Sequence, residues 1–544
     1  MTQGAPIFGF NANRPALVAQ TTERVAQTIA DALHVLNDAA YHETRRLDGS
    51  KRPADQARLE QWRQLARRLS RMSEQEQRSK LSQIAQDYAR DVAGNFDPRV
   101  YKISTRFIPG LVTGLLAPRR LATLAQRPAE LFSLDALADQ LIIEGPTDTL
   151  RSLQQKGTLV YVPTHSSNMD SIVFGTALER VGLSPATYGA GKNLFTNPIL
   201  SFFMHNLGAY RVDRRLRHKL YKDVLKAYSC VLIENGYHSL FFPGGTRSRS
   251  GAVERKLKLG LLGTGVEAFT SSLRAGHPQR VFFVPATINY RITLEAETLI
   301  GDFLSEAGKA RYIIEDDESS RIGPTTSFIR KLLGMNGSVV IRFGTPMDPF
   351  GNGVDAEGIS HDRRGRAVDA ASYVTDVHGE ITNDPARDAQ YTRELGEQIA
   401  VAYQRDTVAM STHIVAAACF AQLRQRSPSD DLFTTLRIRD VVVPRDELNQ
   451  DVMAIKDQLL DLEGRGDIVL AEQLRGCSGG DIVAQALRAF EGYHRTPVIG
   501  PRDRGIELCS ADLIFYYQNR LAAHGIGWDP ARRDGRASTS RRAR

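Results

Sequence analysis

Twelve histidines are spread through the 544 residues, and three of them stand five places before an aspartate: His165–Asp170, His218–Asp223 and His524–Asp529. A histidine can take a proton from an alcohol near neutral pH. A carboxylate on its second nitrogen orients the ring and stabilises the imidazolium as it forms. Such a pair suits acyl transfer to a hydroxyl with no covalent enzyme intermediate. With twelve histidines about one such spacing is expected by chance, so context must decide. His218 sits in a charged helical run, where residues five apart point about 140° away from each other. His524 lies in a glycine-rich stretch near the C-terminal arginines. His165 alone follows an apolar strand through Pro163 and Thr164 and opens an apolar helix. Sites in α/β sheets lie at such carboxyl ends of strands; the plain alternative is a capping or core histidine.

Three other segments carry groups that could hold an anion or shape a site. Phe241–Gly251 reads FFPGGTRSRSG. Its glycines let backbone N–H groups approach an anion, and Arg247 and Arg249 add bidentate-capable donors. It is neither a Walker loop nor a nucleophile elbow, and its plain alternative is a basic surface turn. Leu207–Arg214 reads LGAYRVDR and runs into Arg215, Arg217, Lys219 and Lys222. Positions 215, 219 and 222 share one helical face; Arg217 to Lys222 reads as a solvated charge stripe, and Arg214 is the better functional candidate. Phe283–Tyr290, FVPATINY, ends another strand and shows no chemistry by itself.

These segments need elements to position them. Residues 1–145 read as a helical region, with apolar spacing over Gln20–Leu36, a capping box at Ser73 and Glu76, and a charged, solvated stretch over His42–Arg68. Residues 146–349 alternate apolar strands (Thr158–Val162, Ser239–Phe242, Arg280–Val284, Ser338–Phe343) with helices (Ser171–Val181, Lys219–Asn235), which predicts an α/β domain with a parallel or mixed sheet. Residues 350–388 read as a linker or long loop, 389–530 as a C-terminal helical region with its most apolar run at Met410–Leu423, and 531–544 as a basic disordered tail.

Composition permits a large folded protein of two or three domains. The net charge of +8 suits phosphorylated ligands, anionic lipid or nucleic acid. No zinc-finger or RNA-binding signature is present, and nucleic acid is not expected as a partner. Four separated cysteines predict reduced thiols and no metal site. The N-terminus carries no signal-peptide pattern, and no apolar run reaches the roughly 18 residues of a spanning helix. Phe107–Pro118 and Pro198–Tyr210 are shorter apolar runs followed by arginines, a pattern that fits either a bilayer interface or a core helix with a basic end. The expected location is peripheral or monotopic on the cytoplasmic face of a membrane.

Taken together and in this order, the four segments resemble the blocks of the glycerolipid acyltransferase family. The match is with its glycerol-3-phosphate and dihydroxyacetone-phosphate branch, over about residues 140–350. The resemblance implies that His165 and Asp170 are catalytic. It implies that Arg214, Arg247 and Arg249, with Lys192 in the segment Ala190–Leu194, hold the acceptor phosphate. Gly208, Gly245, Thr246, Pro285 and Tyr290 support the motifs. It further implies an acyltransferase domain with a central mixed sheet between two helical regions, and transfer from acyl-CoA or acyl-carrier protein to the sn-1 hydroxyl of glycerol 3-phosphate. No cofactor is implied. Dihydroxyacetone phosphate and lysophosphatidate are alternative acceptors, and a catalytically silent lipid-surface protein is the alternative class. One departure stands out: the third block often carries Glu before its Gly, and here that place holds Gly244.

Overall fold

Thr158–Pro163 is six residues long and buried throughout, and its side chains divide between two faces as strand geometry requires. Leu159 and Tyr161 enter one apolar cluster, while Val160 and Val162 enter another. A strand covered on both faces belongs inside a sheet, and the computed structural model, which describes residues 5–105, 140–192, 198–276, 279–309, 338–491, 494–503 and 505–527, places it there. The strands are β1 Leu141–Glu144, β2 Thr158–Pro163, β3 Thr187–Gly191, β4 Ala209–Val212, β5 Ser239–Leu240, β6 Val281–Tyr290 and β7 Val339–Phe343. They form one sheet in the order β1-β7-β6-β2-β5-β3-β4. Strands β2 to β6 are mutually parallel, β7 runs antiparallel to β6, and β1 pairs parallel with β7. The central sheet is therefore mixed, as the sequence predicted.

Four N-terminal helices, α1 Phe10–Thr28, α2 Ala32–Leu47, α3 Pro53–Arg68 and α4 Glu74–Val92, precede the sheet. Between and after its strands lie α5 Thr147–Leu153, α6 Asp170–Arg180, α7 Pro198–Asn206, α8 Lys219–Glu234, α9 Leu259–Arg274 and α10 Ala296–Lys309. The C-terminal helices are α11 Pro385–Arg405, α12 Ser411–Gln425, α13 Leu432–Leu436, α14 Arg445–Gly464, α15 Gly479–Phe490 and α16 Ala511–Ala522. One face of the sheet packs with α6, α12 and α16 in a single cluster. The other packs with α9 and α11. The N-terminal helices pack on α8 and on Tyr210 of β4.

Several local expectations change. Gln20–Leu36 is not one helix: the Asp31 side chain accepts from the His34 N–H at 2.9 Å and caps a new helix there. The capping box at Ser73 and Glu76 forms reciprocally. Arg215 does not share a helical face with Lys219 and Lys222, because α8 begins at Lys219; it folds back onto Asp213 instead, at 2.7 Å. Residues 350–388 carry a three-stranded antiparallel sheet of β8 Gly353–Val354, β9 Ser360–His361 and β10 Ala367–Val368. Phe107–Pro118 and the 531–544 tail lie outside the described residues, as does part of Ala190–Leu194.

Candidate active site

The parallel strands deliver the predicted segments to one edge of the sheet. His165 follows β2, Lys192 follows β3, Arg214 follows β4, and the glycine-arginine loop follows β5. After β2, the Thr164 N–H still bonds to the Ala286 carbonyl at 3.0 Å. The chain then turns tightly, so that Asp170 opens α6 within reach of His165. The His165 Nδ1 lies 2.7 Å from Asp170 Oδ2. That same oxygen accepts the Ser166 N–H at 2.7 Å and the Ser167 N–H at 3.0 Å. The second carboxylate oxygen accepts the Tyr290 hydroxyl from β6 at 2.7 Å. Asp170 is fully buried, and four donors offset the cost of burying its charge. Burial, reinforced by the Asp170 charge, holds the Tyr290 hydroxyl far above its ordinary pKa, so it remains a donor.

With Nδ1 committed to Asp170, the nitrogen left to take a proton is Nε2. The ring is fixed from its face by Phe242, stacked at 4.1 Å, yet the His165 side chain keeps 18% exposure. This is the geometry of an oriented, accessible general base. His218 does not match it and His524 makes other contacts, while Asp529 lies outside the described residues. His218 caps α8 and contacts the Tyr88 hydroxyl and the Tyr221 N–H, and the His524 ring contacts the Gln404 carbonyl.

The third block is tied to this centre through backbone. The Ser248 N–H donates to the His165 carbonyl at 2.7 Å, and the Lys258 N–H donates to the Pro243 carbonyl at 2.7 Å. Gly245 has φ +76°, a conformation that suits glycine at the turn. Thr246 beside it is half-buried. Arg214 donates to the Gly245 carbonyl at 2.8 Å, which brings the second and third blocks together. Arg247 faces Glu295 at 3.5 Å, and Glu295 in turn accepts from the Ser167 hydroxyl and the Asn168 N–H. Arg247 is thereby held beside the His165–Asp170 turn. Burial raises the Glu295 pKa and Arg247 opposes that shift.

Two predicted phosphate ligands point elsewhere. Arg249 pairs with Glu306 on α10 at 2.5 Å. Lys192 pairs with Asp91 of α4 at 2.9 Å and approaches Asp213 at 3.8 Å. It lines a cleft of about 630 Å³ between the N-terminal helices and the sheet, with Arg46, Arg58, Trp62 and Arg215. Gly208 opens β4 at φ +87°. Pro285 falls where β6 changes partner, from β2 on one side to β7 on the other, a point where a missing N–H is tolerated.

Sequence reasoning missed Glu254, Glu295 and Phe242 as members of this site. Phe242 lay inside a quoted motif, but its ring stack was not foreseeable from spacing. The two glutamates carry no local signal, since each reaches the His165 turn from a distant part of the chain.

Comparison with known proteins finds relatives of this stretch of the chain. Residues 147–289 match the acyltransferase family model, the stretch that contains His165, Asp170 and the arginine loop. A glycerol-3-phosphate acyltransferase of Ectopseudomonas mendocina is 29% identical over 203 residues, 36% of this chain and 22% of that one. A glycerol-3-phosphate acyltransferase of Pseudomonas fluorescens is 26% identical over 276 residues, 51% of this chain and 29% of that one. The crystal structure of a 1-acyl-sn-glycerophosphate (LPA) acyltransferase from Thermotoga maritima is 16% identical, covers 55% of this chain and 90% of that one, and gives a TM-score of 0.26. The matches thus span less than a third of those curated relatives' own length. The region built around His165 and Asp170 is an acyltransferase domain. The curated relatives that it resembles carry the name glycerol-3-phosphate acyltransferase.

Proposed function

We propose that this protein transfers a fatty acyl group from acyl-CoA or acyl-carrier protein to the sn-1 hydroxyl of glycerol 3-phosphate, giving lysophosphatidate. The observation that carries this reading is the His165–Asp170 pair at 2.7 Å, with Nε2 left open at the strand ends that also bear Arg214 and Arg247. His165 Nε2 takes the proton of the acceptor hydroxyl. The resulting alkoxide attacks the thioester carbonyl, the ester forms, the carbon–sulfur bond breaks, and the departing thiolate regains a proton from the imidazolium. Arg214 and Arg247 hold the phosphate, and that positioning supplies part of the barrier reduction. Work at the cytoplasmic face of a membrane fits the half-exposed Phe202 on α7 and the net charge of +8. Among the described residues, no helix is long and apolar enough to cross a membrane.

The test is acyl transfer from a long-chain acyl-CoA to radiolabelled glycerol 3-phosphate, with wild type beside His165→Ala. Labelled lysophosphatidate from wild type alone supports both reaction and base. An alanine variant that keeps most of its turnover sinks the mechanism. Product only with dihydroxyacetone phosphate or lysophosphatidate moves the acceptor, and none with any acceptor or donor leaves the silent lipid-surface reading.

A further inference from the structure

Beside His165 lies a buried carboxylate that the mechanism above does not use. Glu254 sits where the third-block loop returns toward α9. Its Oε1 accepts the His165 backbone N–H at 2.8 Å. Its Oε2 is buried and has no hydrogen-bond partner among the described residues. A carboxylate buried with one oxygen unsatisfied is costly unless it takes up a proton or faces a cation; burial raises the Glu254 pKa, and the charges of Arg520 and His165 oppose that shift. The groups that face it are His165 after β2, Arg520 on α16 and Tyr403 on α11. His165 is the one that becomes a cation during the reaction.

A second, independent observation concerns position 244. The Gly244 backbone is not left-handed, so conformation does not demand glycine there. Space is tight, however: a Cβ at 244 would stand 3.1 Å from both Glu254 Cγ and Glu254 Oε1. The Glu254 side chain would have to give way by a few tenths of an ångström to admit it.

We propose that Glu254 is a positioning residue for His165, which holds the base through its backbone and supplies from position 254 the negative charge that Gly244 cannot. The inference rests on the acyl-transfer reading for its kinetic arm. It predicts that residues 244 and 254 are exchangeable as carriers of one carboxylate.

The experiment compares wild type, Glu254→Gln, Glu254→Ala, Gly244→Glu and the double variant Gly244→Glu/Glu254→Ala, with glycerol 3-phosphate and a long-chain acyl-CoA. Gln keeps an acceptor for the His165 N–H and loses only the charge, so it separates positioning by charge from a merely structural bond. We expect kcat to fall about tenfold in Glu254→Gln with the acceptor KM unchanged. Gly244→Glu alone is crowded and impaired, and the double variant recovers at least about tenfold over Glu254→Ala. A kcat within twofold of wild type in Glu254→Gln overturns the proposal, as does a folded double variant no better than Glu254→Ala. Absence of wild-type turnover would count against the acceptor or donor assignment instead. In that event, the pH dependence of diethyl pyrocarbonate modification at His165 still decides, read by mass spectrometry. The groups that set it are Asp170 on α6, Glu254, Arg247 and Glu295 around the turn, and Arg520 behind Glu254. The midpoint should fall by about half a pH unit or more in Glu254→Gln, and an unmoved midpoint overturns the proposal.

Discussion

Tyr290 makes the one described hydrogen bond to Asp170 that comes from outside the His165 turn itself. A bond from a neutral donor to a buried carboxylate contributes about 1.5–3 kcal/mol. Tyr290→Phe should therefore slow turnover about tenfold while leaving the acceptor KM unchanged, since the hydroxyl serves the Asp170–His165 pair rather than the acceptor. Steady-state kinetics would check this, and a raised KM with intact kcat would contradict it. Arg247 predicts the opposite split. Its guanidinium stands beside the turn, opposite Glu295, where it can meet a phosphate. Arg247→Ala should raise the acceptor KM at least about tenfold, with a smaller loss of kcat; an unchanged KM would remove the phosphate role. The pair His165 and Asp170 was legible in the sequence because five residues and one turn contain it. Glu254 and Glu295 were not, because they reach the same turn across 89 and 127 positions, and nothing in a linear pattern marks such a return.

At the scale of elements, the strands that could be read were those inside bulky apolar runs, including β5, of which only Ser239–Leu240 pairs. β3 escaped because it carries two glycines in the run TYGAG, which weakens a strand signal. β6 runs six residues past its predicted end at Val284, because β7 takes over as partner beyond Pro285. One consequence of building a sheet this deeply is a buried histidine. His238, just before β5, accepts the Leu159 N–H on Nδ1 at 3.1 Å, and burial pushes its pKa down to about 4. His413 is likewise pushed down to about 3, by burial and by Arg520. Between the ordinary histidine value near 6.5 and pH 4, the unfolded chain binds a proton at each position that the folded chain does not. Stability must then fall as pH falls, by about 1.4 kcal/mol per pH unit for each histidine. Buried carboxylates with raised pKa values, such as Glu254 and Glu295, act in the other direction, so the slope has to be read as a difference between variants. His238→Asn keeps an acceptor for the Leu159 N–H and removes the titration. Urea unfolding between pH 4.5 and 6.5 should show its slope against pH smaller than wild type by about one proton; an identical slope would mean that His238 is protonated in the folded state.

Across the whole molecule, the C-terminal helices form part of the wall around the site. The Arg520 guanidinium of α16 reaches β6, donating to the Ile288 carbonyl at 3.0 Å and Asn289 Oδ1 at 2.8 Å. Asn519 donates to the Ser250 carbonyl at 2.9 Å, so the same helix grips the arginine loop. The apolar run Met410–Leu423 showed that a buried helix existed; what it packs against was fixed only by tertiary contacts with α16 and the sheet. Gly251 of the loop lies directly against the α16 backbone. Its φ is +80°, and a Cβ there would lie 2.2 Å from the Tyr516 carbonyl oxygen, a collision with backbone that no side-chain rotation relieves. Gly276 provides the control, with φ +72° and nothing within 4 Å of its Cβ position. Both alanine variants carry the strain of the left-handed region, about 1 kcal/mol, but only Gly251→Ala also pushes α16 away from the loop, at a further cost of about 1–3 kcal/mol. Thermal melts should therefore place Gly251→Ala below Gly276→Ala by a few degrees. At temperatures where both are folded, acyl transfer should be weakened in Gly251→Ala alone, because Ser248, three residues earlier in the same loop, holds the His165 carbonyl. Equal melting points and equal activities would mean that the C-terminal helices can separate from the arginine loop without cost to the site.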